Sequence, residues 1–263
     1  MREFLMPTKF VRLEQETTKK MMKQLCDSYP SFKKFYSDNV SEICKIDLKW
    51  IIKPDLKVDG ISSPITDTIT LKKYPETIED SRIVAHEIVH ELIWREGYPY
   101  LMADPHTEAS ICRTLEASAR EIQAIIYEPM VEARLKKYFD NLCSDNVKNS
   151  MAAAEKMVTE KDRILEEIKN PRALLFYCCQ YLKRRLLIEA TCNSSDATDY
   201  IRLYEQNFRE NIVPCGEKVL SLIERKDHTP QEVKTIFEEI LSSKKFSFSY
   251  QYQNSFNRFL LTK

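Results

Sequence analysis

Residues 65–97 read ITDTITLKKYPETIEDSRIVAHEIVHELIWREG, and two different periods meet in them. Ile65 to Leu71 is rich in β-branched residues (Thr66, Thr68, Ile69, Thr70), which predicts a strand. From about Ile78 to Glu96 the spacing becomes helical, with Ile83, Ile88, Val89, Leu92 and Ile93 offering apolar faces to bury. Asp80 or Ser81 is the expected N-cap, and Gly97 followed by Pro99 is a stop signal. A strand linked by a short connection to a long apolar helix sets the expected class: α+β, predominantly α.

Outward from this unit the same rules apply. Residues 14–38 read as helical, with a break at Asp27-Ser28-Tyr29-Pro30. Ile46, Leu48, Trp50 and Ile52 alternate with polar residues and predict a strand ended by Pro54. Asp59-Gly60 is a turn, and the stretch between Pro54 and Pro64 leaves room for a short third strand. A small antiparallel sheet is the expectation. YPYLMADPHTEAS (98–110) reads as a loop. Helices follow at 107–127, 129–140, 147–167, 171–191, 197–211, 213–225 and 230–242, with Pro129 opening a fresh helix or kinking the old one. Asn193-Ser194-Ser195-Asp196 reads as a linker. Phe246, Phe248, Tyr250 and Tyr252 alternate with Ser and Gln, as in a strand covering a sheet edge. The expected organisation is residues 1–140 as the core domain and 141–263 as a helical region packed on it as one compact unit.

Composition excludes several functions. The 263 residues carry 40 basic and 40 acidic side chains, so net charge gives no reason to expect nucleic acid or an anionic membrane as partner. Only three glycines occur, Gly60, Gly97 and Gly216, too few for the loops with which nucleotide enzymes cradle phosphates. No stretch approaches the roughly 18–20 apolar residues of a membrane span. The opening MREFLMPTKF lacks a leader's apolar core. The eight cysteines form no C-x-x-C pair, so the expectation is a cytoplasmic chain with reduced cysteines, most of them small core hydrophobes.

The chemistry lies in His86-Glu87-Ile88-Val89-His90. Residues i and i+4 sit one above the other on a helix face, so two imidazoles there can reach one Zn²⁺ at roughly 2.0–2.1 Å. Glu87 is adjacent to the first imidazole, placed to take a proton from water and pass it to a leaving group. With four histidines in the chain, a chance HExxH has a probability on the order of one in two hundred. A catalytic zinc needs a third protein ligand. Among Glu108, Glu116, Glu121, Glu128 and Glu132, Glu128 is favoured, because it sits beside Pro129 amid Ile125, Ile126, Tyr127, Met130 and Val131, where an unpartnered carboxylate is costly. Glu132 and then Glu121 follow, with His106 a further alternative. Tyr98, Tyr100, Tyr127 and His106 are candidates for the donor that steadies an oxyanion.

The HEIVH segment resembles the metal-binding helix of zincin metallopeptidases. The order strand, short connection, HExxH helix, later helix with a glutamate is similar to gluzincins, and looks most like the compact intracellular ImmA/IrrE-type proteins. Tyr127 to Val131 also looks like a segment of cytosolic HExxH proteins. The resemblance covers residues 65–97 and, more loosely, reaches 140. Ile93 and Glu96 replace the glycine and histidine of the metzincin continuation, and the thermolysin-like N-E-x-x-S-D signature is missing. The resemblance implies a zincin-like core, a bound zinc ion, and hydrolysis of a peptide or protein substrate. Two other readings stay open: a zincin-scaffold binding or regulatory protein, and a metal-free helical interaction protein.

Overall fold

The computed structural model describes residues 10–192, 194–224, 228–243 and 248–262. It is α+β and mostly helical, and it packs as two compact units. The first gathers the described residues up to Arg95 with Arg134–Phe139; the second gathers Glu96–Ala133 with those from Asp140 onward. The units interleave in sequence.

In the first unit, β1 (Val11–Arg12) leads into α1 (Gln15–Ser28) and α2 (Pro30–Ile43). Pro30 breaks the long helical stretch because it has no N–H to donate, and it is tolerated at the first turn of α2, where that N–H has no partner anyway. Then come β2 (Lys49–Ile52), β3 (Gly60–Ser63), β4 (Thr68–Leu71) and α3 (Ile78–Arg95). β3 is the short strand expected between Pro54 and Pro64.

The sheet order is β1-β2-β4-β3. The expectation of an antiparallel sheet is corrected here: β2 and β4 run parallel, Trp50 opposite Ile69, while β1 and β3 pair antiparallel with their neighbours. The reason is the hairpin of β3 with β4, Gly60 opposite Leu71, which leaves β4's other edge to β2. Ile69 and Leu71 point into the core, whereas Thr68 and Thr70 are half-exposed, which is the period of two read in the sequence. Met21, Leu25, Phe32 and Phe35 from α1 and α2 are buried with Trp50 and Ile69. Tyr138 packs edge-on against Phe35 at 5.5 Å and donates its hydroxyl to Asp38 (2.9 Å).

The cap of α3 lies three residues before the Asp80 that the sequence suggests. Thr77, not Asp80 or Ser81, is the N-cap: its hydroxyl accepts the Asp80 N–H (3.1 Å), and the Asp80 carboxylate accepts the Thr77 N–H (2.9 Å) and the Glu76 N–H (3.0 Å). The helix is buried on nearly all sides, Val84, Ala85, Ile88 and Ile93 completely, as befits a core helix rather than an amphipathic one.

The second unit begins at β5 (Tyr100–Ala103), inside the segment read as a loop, with Leu101 and Ala103 buried. α4 (Ala109–Leu135) runs as one helix through Pro129, so the proline does not open a fresh helix. α5 (Leu142–Thr159), α6 (Lys161–Glu167), α7 (Pro171–Thr191), α8 (Thr198–Phe208), α9 (Ile212–Ile223) and α10 (Pro230–Leu241) follow, close to the helices read from the sequence. Tyr181, Tyr200, Tyr204 and Phe208 form a buried ring cluster between α7 and α8.

The C-terminal strands β6 (Ser249–Gln253) and β7 (Arg258–Thr262) complete a sheet of order β5-β7-β6. β7 lies parallel to β5, Phe259 opposite Leu101. The free edge of β5 is closed by α4: Gln123 accepts the Leu101 N–H (2.9 Å) and donates to its carbonyl (3.0 Å), and Glu116 accepts the Ala103 N–H (2.9 Å). The alternating aromatics expected as a strand are β6 and its flank. Phe246, Asn193 of the linker, and residues 1–9 of the opening stretch lie outside the described residues.

One expectation about cysteines is overturned. Cys143, at the start of α5, and Cys192, at the end of α7, form a disulfide (Cα–Cα 5.0 Å). The packing of α5 on α7 brings together two residues 49 apart, which no local pattern reveals. The other six cysteines form no disulfide, and Cys178, Cys179 and Cys215 are buried as core residues. No helix among the described residues is long and apolar enough to cross a membrane.

Candidate metal centre

α3 carries His86, Glu87 and His90 on consecutive turns, and the structure brings the two imidazoles together. Their Nε2 atoms are 3.2 Å apart, with ring centroids at 4.8 Å and planes at 70°. Two nitrogens each about 2.05 Å from a tetrahedral ion are separated by about 3.3 Å. The separation therefore matches two corners of a zinc tetrahedron. Without an ion, the same distance is an N–H···N hydrogen bond in which one ring donates and the other accepts. His86 is half-buried and His90 is buried. His90 stacks on Trp94, one turn further along the same helix (centroids 5.5 Å, planes 21°), a neighbour that the i, i+4 spacing predicts but that was not singled out.

Glu87 is buried, and its placement depends on a glycine. An added Cβ at Gly60 on β3 would lie 2.8 Å from Glu87 Oε1, 2.9 Å from its Cγ and 3.0 Å from Ile83 Cγ2. The carboxylate thus rests against the bare backbone of β3. Gly60 was read only as part of a turn, and nothing local in the sequence signals this approach.

Glu91, next after His90, is 1% exposed. Burial pushes its carboxyl up to about 8, helped by the neighbouring Asp67 and Glu87 carboxylates and opposed by Arg95 and the Ser63 N–H. With its carboxyl raised that far, Glu91 stays largely neutral near pH 7.

The other expected residues lie in the second unit. Glu128 is half-buried on α4, one residue before Pro129. Glu132, one turn on, is buried and accepts from Asn146 (3.3 Å). Glu121 is committed elsewhere, to Gln180 (2.6 Å) and Lys183 (3.4 Å). Glu116 is taken by the edge of β5, and Glu108 is exposed ahead of α4. His106 is exposed on a turn where its own N–H donates to Asp104 (2.9 Å). Of the candidate oxyanion donors, Tyr127 is buried with its hydroxyl donating to the Pro99 carbonyl, and burial pushes its phenol well above the usual range.

Comparison of the chain with protein families, with curated proteins and with solved structures returns no match.

Proposed function

We propose that this protein is a zinc-dependent metallopeptidase of the zincin kind, with His86, His90 and Glu128 as metal ligands and Glu87 as general base. Two imidazoles and a carboxylate form a donor set able to hold a metal ion. The observation that carries the reading is the 3.2 Å approach of the two Nε2 atoms on a helix that also holds Glu87. The resemblance of HEIVH to the zincin helix supports zinc as the metal and a peptide bond as the target.

Zinc, when bound, supplies Lewis acidity that polarises a carbonyl and makes water a stronger acid. The chain's own residues do the rest. Glu87 accepts a proton from the attacking water and delivers it to the departing amine nitrogen. The β3 backbone at Gly60 packs against that carboxylate and limits where it can move. Burial of α3 keeps bulk water from competing for it.

A cytoplasmic setting is part of this reading, supported by the six cysteines of eight that form no disulfide. In that setting the Cys143–Cys192 bond is a reversible one.

The deciding experiment is Glu87→Gln in the full chain, with zinc content read by elemental analysis and cleavage of an unfolded protein followed by electrophoresis. Retained zinc with cleavage reduced roughly a hundredfold or more is expected. Zinc-loaded wild type that cuts no unfolded protein would favour a binding role, and absence of stoichiometric metal would favour a metal-free interaction protein.

A further inference from the structure

The first unit contains a cleft lined by the end of β1, α1, α2, the connection after α2 and the start of β2. Its volume is about 580 Å³, within the size range of small-molecule sites. One wall is a single stripe of α1: Gln15, Thr18, Lys19, Met22, Lys23 and Cys26, spaced by three and four residues. From Gln15 to Cys26 the stripe runs about 16 Å. The opposite wall and floor are apolar or aromatic, with Tyr36, Ile43, Ile46 and Trp50. Ile43, Ile46, Met22 and Trp50 are buried around it, so the floor is a built surface.

The charge is one-sided. Arg12, Lys19, Lys23 and Lys49 line the cleft, against the single carboxylate of Asp47. Lys49 donates to the Thr66 carbonyl (3.3 Å), which leaves its charge uncompensated. Among the described residues Arg12, Lys19 and Lys23 make no ion pair. The cations lie mostly towards the β1 end of the stripe: Arg12 ends β1, three residues before α1 begins, and Leu13 pairs with Trp50, next to Lys49. Towards the other end, around Cys26, Tyr36 and Ile43, the cleft lining has a single cation, Lys23, one turn before Cys26. A long apolar trough with its positive charge gathered towards one end matches a molecule with an anionic head and an aliphatic tail.

We propose that this cleft binds a free single-chain acyl anion, head towards Arg12, Lys19 and Lys49 and tail towards Cys26 and Ile43. This site is separate from the His86–His90 pair and does not depend on metal.

Dodecanoate is the probe. Calorimetry on the full chain gives stoichiometry and affinity. The chain has two tryptophans, Trp50 and Trp94, so Trp94→Phe leaves emission from Trp50 at the cleft floor. One dodecanoate per chain, a saturable change in Trp50 emission, and much weaker binding of dodecan-1-ol are expected. Lys19→Glu/Lys23→Glu, on an exposed helix face, should raise the dissociation constant roughly tenfold or more, and added salt should weaken wild-type binding. Lys19→Gln/Lys23→Gln serves if the reversed charges disturb folding, which circular dichroism reports. The proposal is overturned if dodecan-1-ol binds as tightly, if the folded double variants keep wild-type affinity, if Trp50 is unaffected, or if dodecanoate fails to bind while phosphatidylglycerol vesicles capture the protein.

Discussion

Gly60→Ala tests the placement of Glu87 directly. The new methyl would sit 2.8 Å from Glu87 Oε1, 2.9 Å from its Cγ and 3.0 Å from Ile83 Cγ2, closer than such atoms pack, so something must move. Overpacking of this kind costs about 1–3 kcal/mol. Gly60 does not have a positive φ, so alanine suits the backbone and returns about 0.5–1 kcal/mol. The net loss is about 1 kcal/mol, or roughly 2–4 °C in melting temperature for a chain of this size. The diagnostic quantity is the coupling. In a Glu87→Ala background two of the three close contacts vanish, so Gly60→Ala should become nearly neutral or stabilising, giving a coupling energy of about 1 kcal/mol. Thermal denaturation of the four proteins, with metal removed by chelator, measures it. With metal restored, Gly60→Ala should keep zinc, because neither imidazole is touched, while cleavage falls roughly tenfold to a hundredfold as the carboxylate shifts. Additive effects of the two substitutions would refute the contact between Glu87 and β3, and with it this account of how the base is held.

Other consequences follow from groups the fold commits. Burial alone would raise the Asp80 carboxyl, yet the Glu76 and Thr77 N–H groups, the Thr77 hydroxyl and the Lys73 ammonium outweigh it and hold its pKa below the ordinary 3.8. A lowered folded pKa contributes stability above the unfolded value and loses it as pH falls through the folded one. Asp80→Asn should therefore cost about 1–2 kcal/mol at pH 7, and denaturation curves should show the deficit shrinking below about pH 4. Reducing Cys143–Cys192, which closes a loop with 49 residues of separation, should lower stability by about 4 kcal/mol on the chain-entropy account. Chemical denaturation with and without reductant measures that, and a Cys143→Ser/Cys192→Ser variant should match the reduced protein and ignore reductant.

What the sequence disclosed, and what it hid, divides along the range of the interactions involved. α3 and α7 were legible because burial imposes a period on adjacent turns, and HEIVH because two imidazoles at i, i+4 must share a face. β4 was legible because TITL alternates. The direction of β2 against β4 was hidden, since their pairing depends on β3 taking β4's outer edge. β7 was hidden for the same reason: its partner β5 lies more than 150 residues earlier, and YLMA between Pro99 and Asp104 is too short to declare a period. Thr77 was passed over as a cap in favour of Asp80, though Thr-x-x-Asp is the reciprocal form of that device. The bond between Cys143 and Cys192, and the fit of Glu87 against Gly60, rest on the packing of α5 with α7 and of α3 with β3.

The balance of energies on α3 yields the last prediction. The helix buries Asp80, Glu87, His90 and Glu91. Asp80 is offset by its cap and Glu91 by staying neutral near pH 7. Without an ion, the N–H···N bond between His86 and His90 is worth about 1 kcal/mol net. Leucine at position 90 would forgo that bond and the stack on Trp94 but would bury at less desolvation cost, so the two side chains should be nearly matched in stability until a cation binds the imidazole. A ligand that binds only the folded state stabilises it by RT ln(1 + [L]/Kd), about 2.7 kcal/mol at a hundredfold excess over Kd. Zinc added to chelator-treated protein should therefore raise the melting temperature by roughly 5–10 °C. His90→Leu should lose that response and melt in chelator no lower than wild type by more than a degree or two. Equal zinc shifts in both proteins would place the ion elsewhere, and a wild type indifferent to zinc would mean that the two rings meet for a hydrogen bond alone.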